Sequence, residues 1–74
     1  MPKLPRNIKA KDLVKALIRL GFSPKGQEGS HFKMVHPDGR WTTVPVHRKP
    51  ILTGTLKAIL RQTQVSVEEL SQNL

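Results

Sequence analysis

The tripeptide Pro37-Asp38-Gly39 is the strongest constraint on the fold, because it predicts the loop of a β-hairpin between two strands, 31–36 and 41–47. Proline presets the backbone for a turn, and glycine provides the left-handed conformation that the last loop position requires. Since side chains that oppose each other across a hairpin share a sheet face, the length of this loop decides which residues point the same way.

A three-residue loop separates apolar from charged side chains between the two sheet faces better than a two-residue turn does. With a two-residue turn, Lys33 would oppose Val44, which mixes charged and apolar residues on one face. With three loop residues, Phe32 opposes Val44 and Met34 opposes Thr42. We expect the helices to cover the face that carries Phe32, Met34, Thr42, Val44 and Val46. The opposite face, open to solvent or to a partner, then carries His31, Lys33, Val35, Trp41, Thr43, Pro45 and His47.

Helical spacing and capping patterns predict three helices around this hairpin. The first spans 11–20, with apolar residues on one side and a glycine directly after it. The second takes Thr53 as its N-cap and spans 54–62. Ser66 and Glu69 form a capping box that opens a short terminal helix, whose packing residues are Val67, Leu70 and Leu74.

The remaining segments complete an α+β domain. A short strand over 22–27, weakened by a proline and a glycine, is predicted as the edge of a three-stranded antiparallel sheet. Residues 1–9 contain two prolines and three basic residues and predict an extended basic arm. Residues 66–74 form the C-terminal helix. We predict one domain, 1–74, with a thin core and with its helices on one face of the sheet.

The charge of the chain favours a polyanionic partner. Thirteen Lys and Arg against five Asp and Glu give a net charge of +8. Residues 39–67 contain no acidic residue, whereas they contain five basic ones, Arg40, Arg48, Lys49, Lys57 and Arg61. Nucleic acid explains this better than solubilising charge or a membrane surface, since no basic helix with bulky apolar anchors is present. Because the sequence shows no cysteine, no secretory segment and no membrane-spanning run, we expect a soluble, cytoplasmic protein.

Three histidines, at 31, 36 and 47, are the candidates for chemistry. We expect no metal, because cysteine is absent, the carboxylates are scattered, and His36 is placed on the inner face as a hydrogen-bonded residue at the rim of the core. Ser30 and His31 point to opposite faces, which argues against a nucleophilic pair. A metal-free acid or base remains, able to take a proton from a ribose 2′-hydroxyl or give one to a departing 5′-oxygen. The same face also suits phosphate binding without reaction, so both functions stay open.

Five ordered motifs resemble those of the HicA-type toxins, also called the YcfA-like family. They are K-D-L-V-K-A-L-I-R-L-G-F at 11–22, G-S-H-F at 29–32, V-P-V-H at 44–47, G-T-L-K-A-I-L-R-Q at 54–62 and V-S-V-E-E-L at 65–70. The resemblance implies an α-β-β-β-α fold like that of a double-stranded-RNA-binding domain. It also implies a ribonuclease that cleaves mRNA, stops translation and is neutralised by a HicB-type antitoxin.

The resemblance also assigns roles to single residues. The catalytic histidine of the G-S-H motif corresponds to His31, and Gly29 and Ser30 of that motif become candidates for RNA contact. Gly29 either lets RNA approach closely or simply makes a turn. His47 matches the histidine of the second motif, and an RNA contact, a structural hydrogen bond and proton transfer all stay open for it.

Basic and aromatic residues supply the other candidates for RNA contact. The basic ones are Lys33, Arg48, Lys49 and Lys57. The start of the second helix, 53–55, either holds a phosphate on its free N–H groups or is a plain helix cap. Trp41 can stack on a base, contact the antitoxin or lie under the N-terminal arm.

We therefore predict a metal-independent endoribonuclease that has His31 as acid or base and uses no cofactor. The main alternative is a non-catalytic RNA-binding module that blocks translation by occupancy, and a third is a protein whose basic face binds an acidic partner. Cleavage of RNA would support the ribonuclease, and tight, salt-sensitive binding without cleavage would support the binding module. Negligible RNA affinity would support the protein that binds an acidic partner.

Overall fold

The computed structural model describes residues 3–74, which form three helices and three strands. In chain order these are α1 (Ala10–Arg19), β1 (Ser23–Glu28), β2 (His31–Val35), β3 (Trp41–Pro45), α2 (Thr53–Thr63) and α3 (Val67–Asn73). The strands make one antiparallel sheet in the order β1-β2-β3. This arrangement confirms the predicted α+β fold, which is like that of a double-stranded-RNA-binding domain followed by an additional short helix.

The hairpin between β2 and β3 has the predicted register. Phe32 pairs with Val44 and Met34 with Thr42. The backbone N–H of His36 donates to the carbonyl of Arg40 at 2.8 Å, which leaves three residues in the loop. Because side chains alternate along a strand, this register alone fixes which residues face the helices.

The core lies between that sheet face and the helices. Met34, Thr42 and Val44 are fully buried on the sheet side. The helices contribute Leu13, Ala16, Leu17, Leu56, Ile59, Leu60 and Leu70. Val46 was predicted on the same face, and that prediction is wrong: its side chain is 42% exposed. The strand ends at Pro45, and the N–H of Val46 instead donates to the carbonyl of Ser30 at 2.6 Å.

The first strand lies at an edge of the sheet, as predicted. It pairs with β2 alone, and its register shifts between Pro24 and Gly26. Every side chain of β1 is exposed, whereas Phe22, just before the strand, is buried in the core. A bulge of this kind bends an edge strand and interrupts the row of hydrogen-bonding groups that a second chain would need for pairing.

The helix ends show which local signals the fold uses. The capping box forms as predicted, with Ser66 Oγ accepting from the N–H of Glu69 and Glu69 Oε1 accepting from the N–H of Ser66, each at 3.0 Å. The prediction of Thr53 as an N-cap is wrong, because Leu52 occupies that position and Thr53 is the first helical residue. The packing prediction for Leu74 is also wrong, since 46% of it is exposed.

His36 is a structural residue at the rim of the core, as predicted. Its Nδ1 accepts a hydrogen bond from the backbone N–H of Asp38 at 3.1 Å, and its ring meets Phe22 edge-on with centroids 5.0 Å apart. Gly21, which ends α1 with a φ of +100°, lies directly against this ring. The end of the first helix, the core and the hairpin loop therefore meet at one histidine.

Candidate nucleic-acid interface

The sheet face away from the helices presents a row of polar and aromatic side chains. On β2 this row consists of His31, Lys33 and Val35, and β3 places Pro45, Thr43 and Trp41 directly opposite them. His31, Lys33 and Trp41 are exposed, while the other three are partly buried by their neighbours. The predicted outer-face residues of these two strands thus lie together.

His31 lies at the start of β2, where two strands and a tight turn converge. The turn consists of Gly29 and Ser30, and Gly29 has a φ of +56° with open space around it. Glycine takes this left-handed conformation without strain, so the turn itself accounts for the residue. The carbonyl of Ser30 accepts the hydrogen bond from Val46, which ties the segment after β3 to this turn.

A shallow concavity of about 470 Å³ surrounds the imidazole of His31. We call it the His31 groove, and its lining residues are Lys25, Gly26, Gln27, Glu28, His31, Lys33 and Thr43. Glu28 pairs with His31 across β1 and β2, which brings a carboxylate to the same end of the sheet. The groove therefore combines an imidazole, two ammonium groups and one carboxylate.

Sequence reasoning missed Lys25, Glu28 and Thr43 as members of this groove. The signal was available for Glu28, because a two-residue turn at positions 29 and 30 makes it the partner of His31. No such sequence signal was available for Lys25, since its position depends on the bulge between Pro24 and Gly26.

Trp41 and Lys33 contact each other on the open face. The Lys33 Nζ lies 4.7 Å from the centroid of the indole ring, a cation–π geometry, and 54% of Trp41 stays exposed. Residues 3–6 of the N-terminal arm instead line a concavity beside α2, so the described part of the arm does not cover this ring. A flat aromatic surface with an ammonium group beside it is suited to stacking on a base or to contact with another protein.

His47, Arg48 and Lys49 follow β3 and line a second concavity of about 580 Å³. We call it the loop groove, and its complete lining is Pro45, His47, Arg48, Lys49, Pro50, Ile51, Leu52 and Thr55. Because Pro45 pairs with His31, the loop groove begins beside the His31 groove. Three of the predicted contact residues therefore lie together, in a concavity next to that of the candidate catalyst.

Lys57, another predicted contact residue, lines neither the His31 groove nor the loop groove. It lines a third concavity of about 650 Å³, together with Lys3, Leu4, Pro5, Arg6 and Thr53. We call this the arm cleft. The first turn of α2 separates it from the loop groove, since Thr53 lines the arm cleft and Thr55 lines the loop groove. Lys49 and Lys57, two of the predicted contact residues, therefore line different concavities.

Arg40 is a structural cation, although the sequence groups it with the basic surface. Its Nε donates to Asp38 Oδ2 at 2.7 Å, its Nη1 donates to the carbonyl of Thr63, and its guanidinium lies 5.3 Å from the ring of Phe22. The backbone N–H and the guanidinium of Arg40 hold the pKa of the Asp38 carboxyl below its usual value. Among residues 3–74, the ion pair between side chains of fixed charge is that of Asp38 with Arg40, and the Nδ1 of His36 lies 3.0 Å from Asp38 Oδ1.

In residues 3–74 no three His, Cys, Asp or Glu side chains converge in a way that could hold a metal ion. Over the same part of the chain, no helix has the length and apolar character needed to cross a membrane.

Comparison with known proteins adds the family. No curated protein matches this chain. The family model described as HicA toxin of bacterial toxin-antitoxin systems matches residues 10–65, which is most of the 74-residue chain and runs from the first residue of α1 to just beyond α2. A toxin of such a system has an antitoxin as its partner. The chain belongs to the HicA family of bacterial toxins.

Proposed function

We propose that this toxin is a metal-independent endoribonuclease that cleaves mRNA and thereby stops translation, with His31 as general acid or base. The observation that carries the proposal is the exposed imidazole of His31 in a groove that also holds Lys25 and Lys33. Membership of the HicA family supports the role as a toxin, and the composition of the groove supports the reaction.

One imidazole can assist RNA cleavage at either of two steps. As a base it accepts the proton of the ribose 2′-hydroxyl while the 2′-oxygen attacks the adjacent phosphorus. As an acid it donates a proton to the 5′-oxygen while the bond from that oxygen to phosphorus breaks. Water takes up or supplies the proton that the imidazole does not transfer, and the products are a 2′,3′-cyclic phosphate and a free 5′-hydroxyl. Positioned proton transfer of this kind accelerates a reaction by about 10²- to 10⁴-fold.

Neighbouring charges assist the same reaction in different ways. Lys33 lies two residues along the strand from His31, and its ammonium group can offset the negative charge that builds up on the phosphate oxygens. Glu28 pairs with His31 across the two strands, and its carboxylate can orient the imidazole by accepting from a ring N–H. Gly29 and Ser30 form the turn beside the reacting phosphate.

The loop groove extends the RNA contact beyond the cut. His47, Arg48 and Lys49 supply positive charge to the neighbouring phosphates, and Trp41 offers a stacking surface at the other end of the sheet face. Lys57 contacts the backbone on the far side of α2.

The test is RNA cleavage by the purified toxin, free of its partner and in the presence of EDTA, on a long single-stranded RNA. We expect wild type to fragment the RNA and His31→Ala to be slower by about 10²- to 10⁴-fold, the share of one positioned acid or base. Lys11→Ala, which removes an exposed charge from α1, is the matched control and should cleave like wild type. Equal cleavage rates for wild type and a folded His31→Ala would refute the proposed role of His31.

A non-catalytic RNA-binding module is the second candidate function. It is favoured by the cations of the loop groove, which are exposed and, within the described residues, pair with no carboxylate. If neither wild type nor His31→Ala cuts the RNA while both bind it with a steep salt dependence, occupancy explains the toxicity. Negligible RNA affinity would point instead to a basic face made for an acidic protein.

We further propose that the antitoxin is of the HicB type and that it covers the open sheet face. Trp41 is the most exposed aromatic side chain on that face and is suited to anchor such a contact. Trp41→Ala measured against RNA and against the antitoxin distinguishes the two roles. Loss of antitoxin affinity alone assigns the residue to the protein interface, and loss of RNA affinity alone assigns it to the nucleic acid.

A further inference from the structure

The N-terminal arm, residues 3–9, is fixed to the body of the protein. Ile8 is buried in the core and Leu4 packs against it. The backbone N–H of Ile51 donates to the carbonyl of Ile8 at 2.7 Å, which ties the arm to the segment that precedes α2. The arm therefore holds its exposed side chains at defined positions next to that helix.

The arm cleft brings together cations that are far apart in the sequence. Lys3 and Arg6 come from the arm and Lys57 from α2, and all three are exposed. The complete lining of the cleft contains no carboxylate, and within residues 3–74 none of the three cations forms an ion pair. Like charges around one concavity repel each other, and an anion bound between them would relieve that repulsion.

The arm cleft and the loop groove lie on either side of the first turn of α2. Pro45, the partner of His31, lines the loop groove, and Thr55 and Thr53, two residues apart on the first turn of α2, line the loop groove and the arm cleft respectively. Each of the three concavities has cations in its lining: Lys25 and Lys33 in the His31 groove, Arg48 and Lys49 in the loop groove, and Lys57, Lys3 and Arg6 in the arm cleft. The longest dimension of the molecule is 33 Å, so an RNA of several nucleotides is long enough to reach more than one of these concavities.

We propose that the arm cleft is a second RNA site, which binds the phosphate backbone away from the cut and holds a long RNA on the toxin. The inference rests on the proposed function in that RNA is the substrate. A polyanion is the expected ligand, because three exposed cations in one cleft can each contact a different phosphate of the same backbone. Lysine and arginine contacts to phosphate carry no sequence information, so the site strengthens binding and leaves the choice of cut unchanged.

The experiment compares two doubly substituted proteins that lose equal charge, both in the His31→Ala background so that RNA stays intact. The arm variant is Lys3→Gln with Arg6→Gln, and the control is Lys11→Gln with Lys15→Gln on the exposed side of α1. The probes are a long oligouridylate and a trinucleotide of the same base, titrated at several salt concentrations.

We expect the arm variant to lose affinity for the long probe and to keep its affinity for the trinucleotide. The slope of log K against log salt should fall by about 1.4 for the two lost contacts, since each single-strand contact contributes about 0.7. The control variant should keep the wild-type slope. Equal losses in both variants, or none in the arm variant, would overturn the site.

The same proteins with His31 restored separate this site from the proposed reaction. If the arm substitutions lower affinity for long RNA while wild type cuts no RNA, the arm site stands and the ribonuclease proposal fails. If wild type cuts RNA and the arm variant binds it as tightly as wild type, the arm site fails alone. Arm substitutions that weaken binding of the antitoxin and spare RNA binding would assign the cleft to an acidic protein and overturn the RNA site.

Discussion

Replacement of Gly21 by alanine is the sharpest test of how the hairpin loop and the first helix are joined. Gly21 has a φ of +100°, a conformation that residues with a Cβ rarely adopt. A Cβ built at this position would lie 2.8 Å from the Nε2 of His36, which is closer than packed atoms allow. Gly21→Ala therefore adds backbone strain and also displaces a ring that packs on the core.

The two costs can be estimated separately. A left-handed conformation costs a residue with a Cβ about 1–2 kcal/mol. Displacement of His36 weakens its edge contact with Phe22, a contact worth about 0.5–1.5 kcal/mol, and the hydrogen bond at Nδ1, worth a similar amount. Since 21% of the His36 side chain is exposed, the ring can tilt outward, and we expect an additional loss of about 1–2 kcal/mol.

Gly39→Ala is the matched control, because Gly39 has a φ of +99° and open space around it. It should show the backbone cost alone. We expect the free energy of unfolding, from urea denaturation followed by circular dichroism, to fall by about 2–4 kcal/mol in Gly21→Ala and by about 1–2 kcal/mol in Gly39→Ala. In a His36→Ala background the difference should disappear. Equal losses in the two single variants would refute the argument from the clash.

Two other predictions concern stability. In Leu70→Ala the free energy of unfolding should fall by about 2–5 kcal/mol, because Leu70 is fully buried and is the residue that holds the short α3 to the core. Leu74→Ala, with a half-exposed side chain, should change it by less than about 0.5 kcal/mol in the same denaturation assay. The lowered pKa of the Asp38 carboxyl stabilises the fold above the pKa of the unfolded chain, near 4, and this stabilisation is lost as the pH falls through the folded value. Denaturation midpoints measured from neutral to acid pH should therefore decline less in Asp38→Asn than in wild type, and parallel declines would contradict this role.

Local rules were enough for the central hairpin. The loop at 37–39 sets the register, and the register sets the faces, so the pairing of Phe32 with Val44 followed from the sequence. The capping box of Ser66 and Glu69 was equally predictable, because both partners lie within one helical turn. The sequence also determined the excess of positive charge.

Tertiary structure decided where the charges lie. Arg40 reaches back to Asp38 and across to the carbonyl of Thr63, and so becomes a structural cation. The contact to Thr63 joins residues that only the folded chain brings together, and no local pattern marks it. In the same way Lys3 and Arg6 meet Lys57 in the arm cleft because Ile8 is buried in the core.

Features that the sequence predicts and features that only the tertiary structure decides differ for a physical reason. Turns, caps and strand alternation depend on backbone geometry and on neighbours a few residues away, which the sequence shows directly. The surroundings of His31 depend also on the bulge that places Lys25 in its groove and on the bond from Val46 to Ser30. The sequence thus determined the face on which His31 lies, and the packed fold decided which charges surround it.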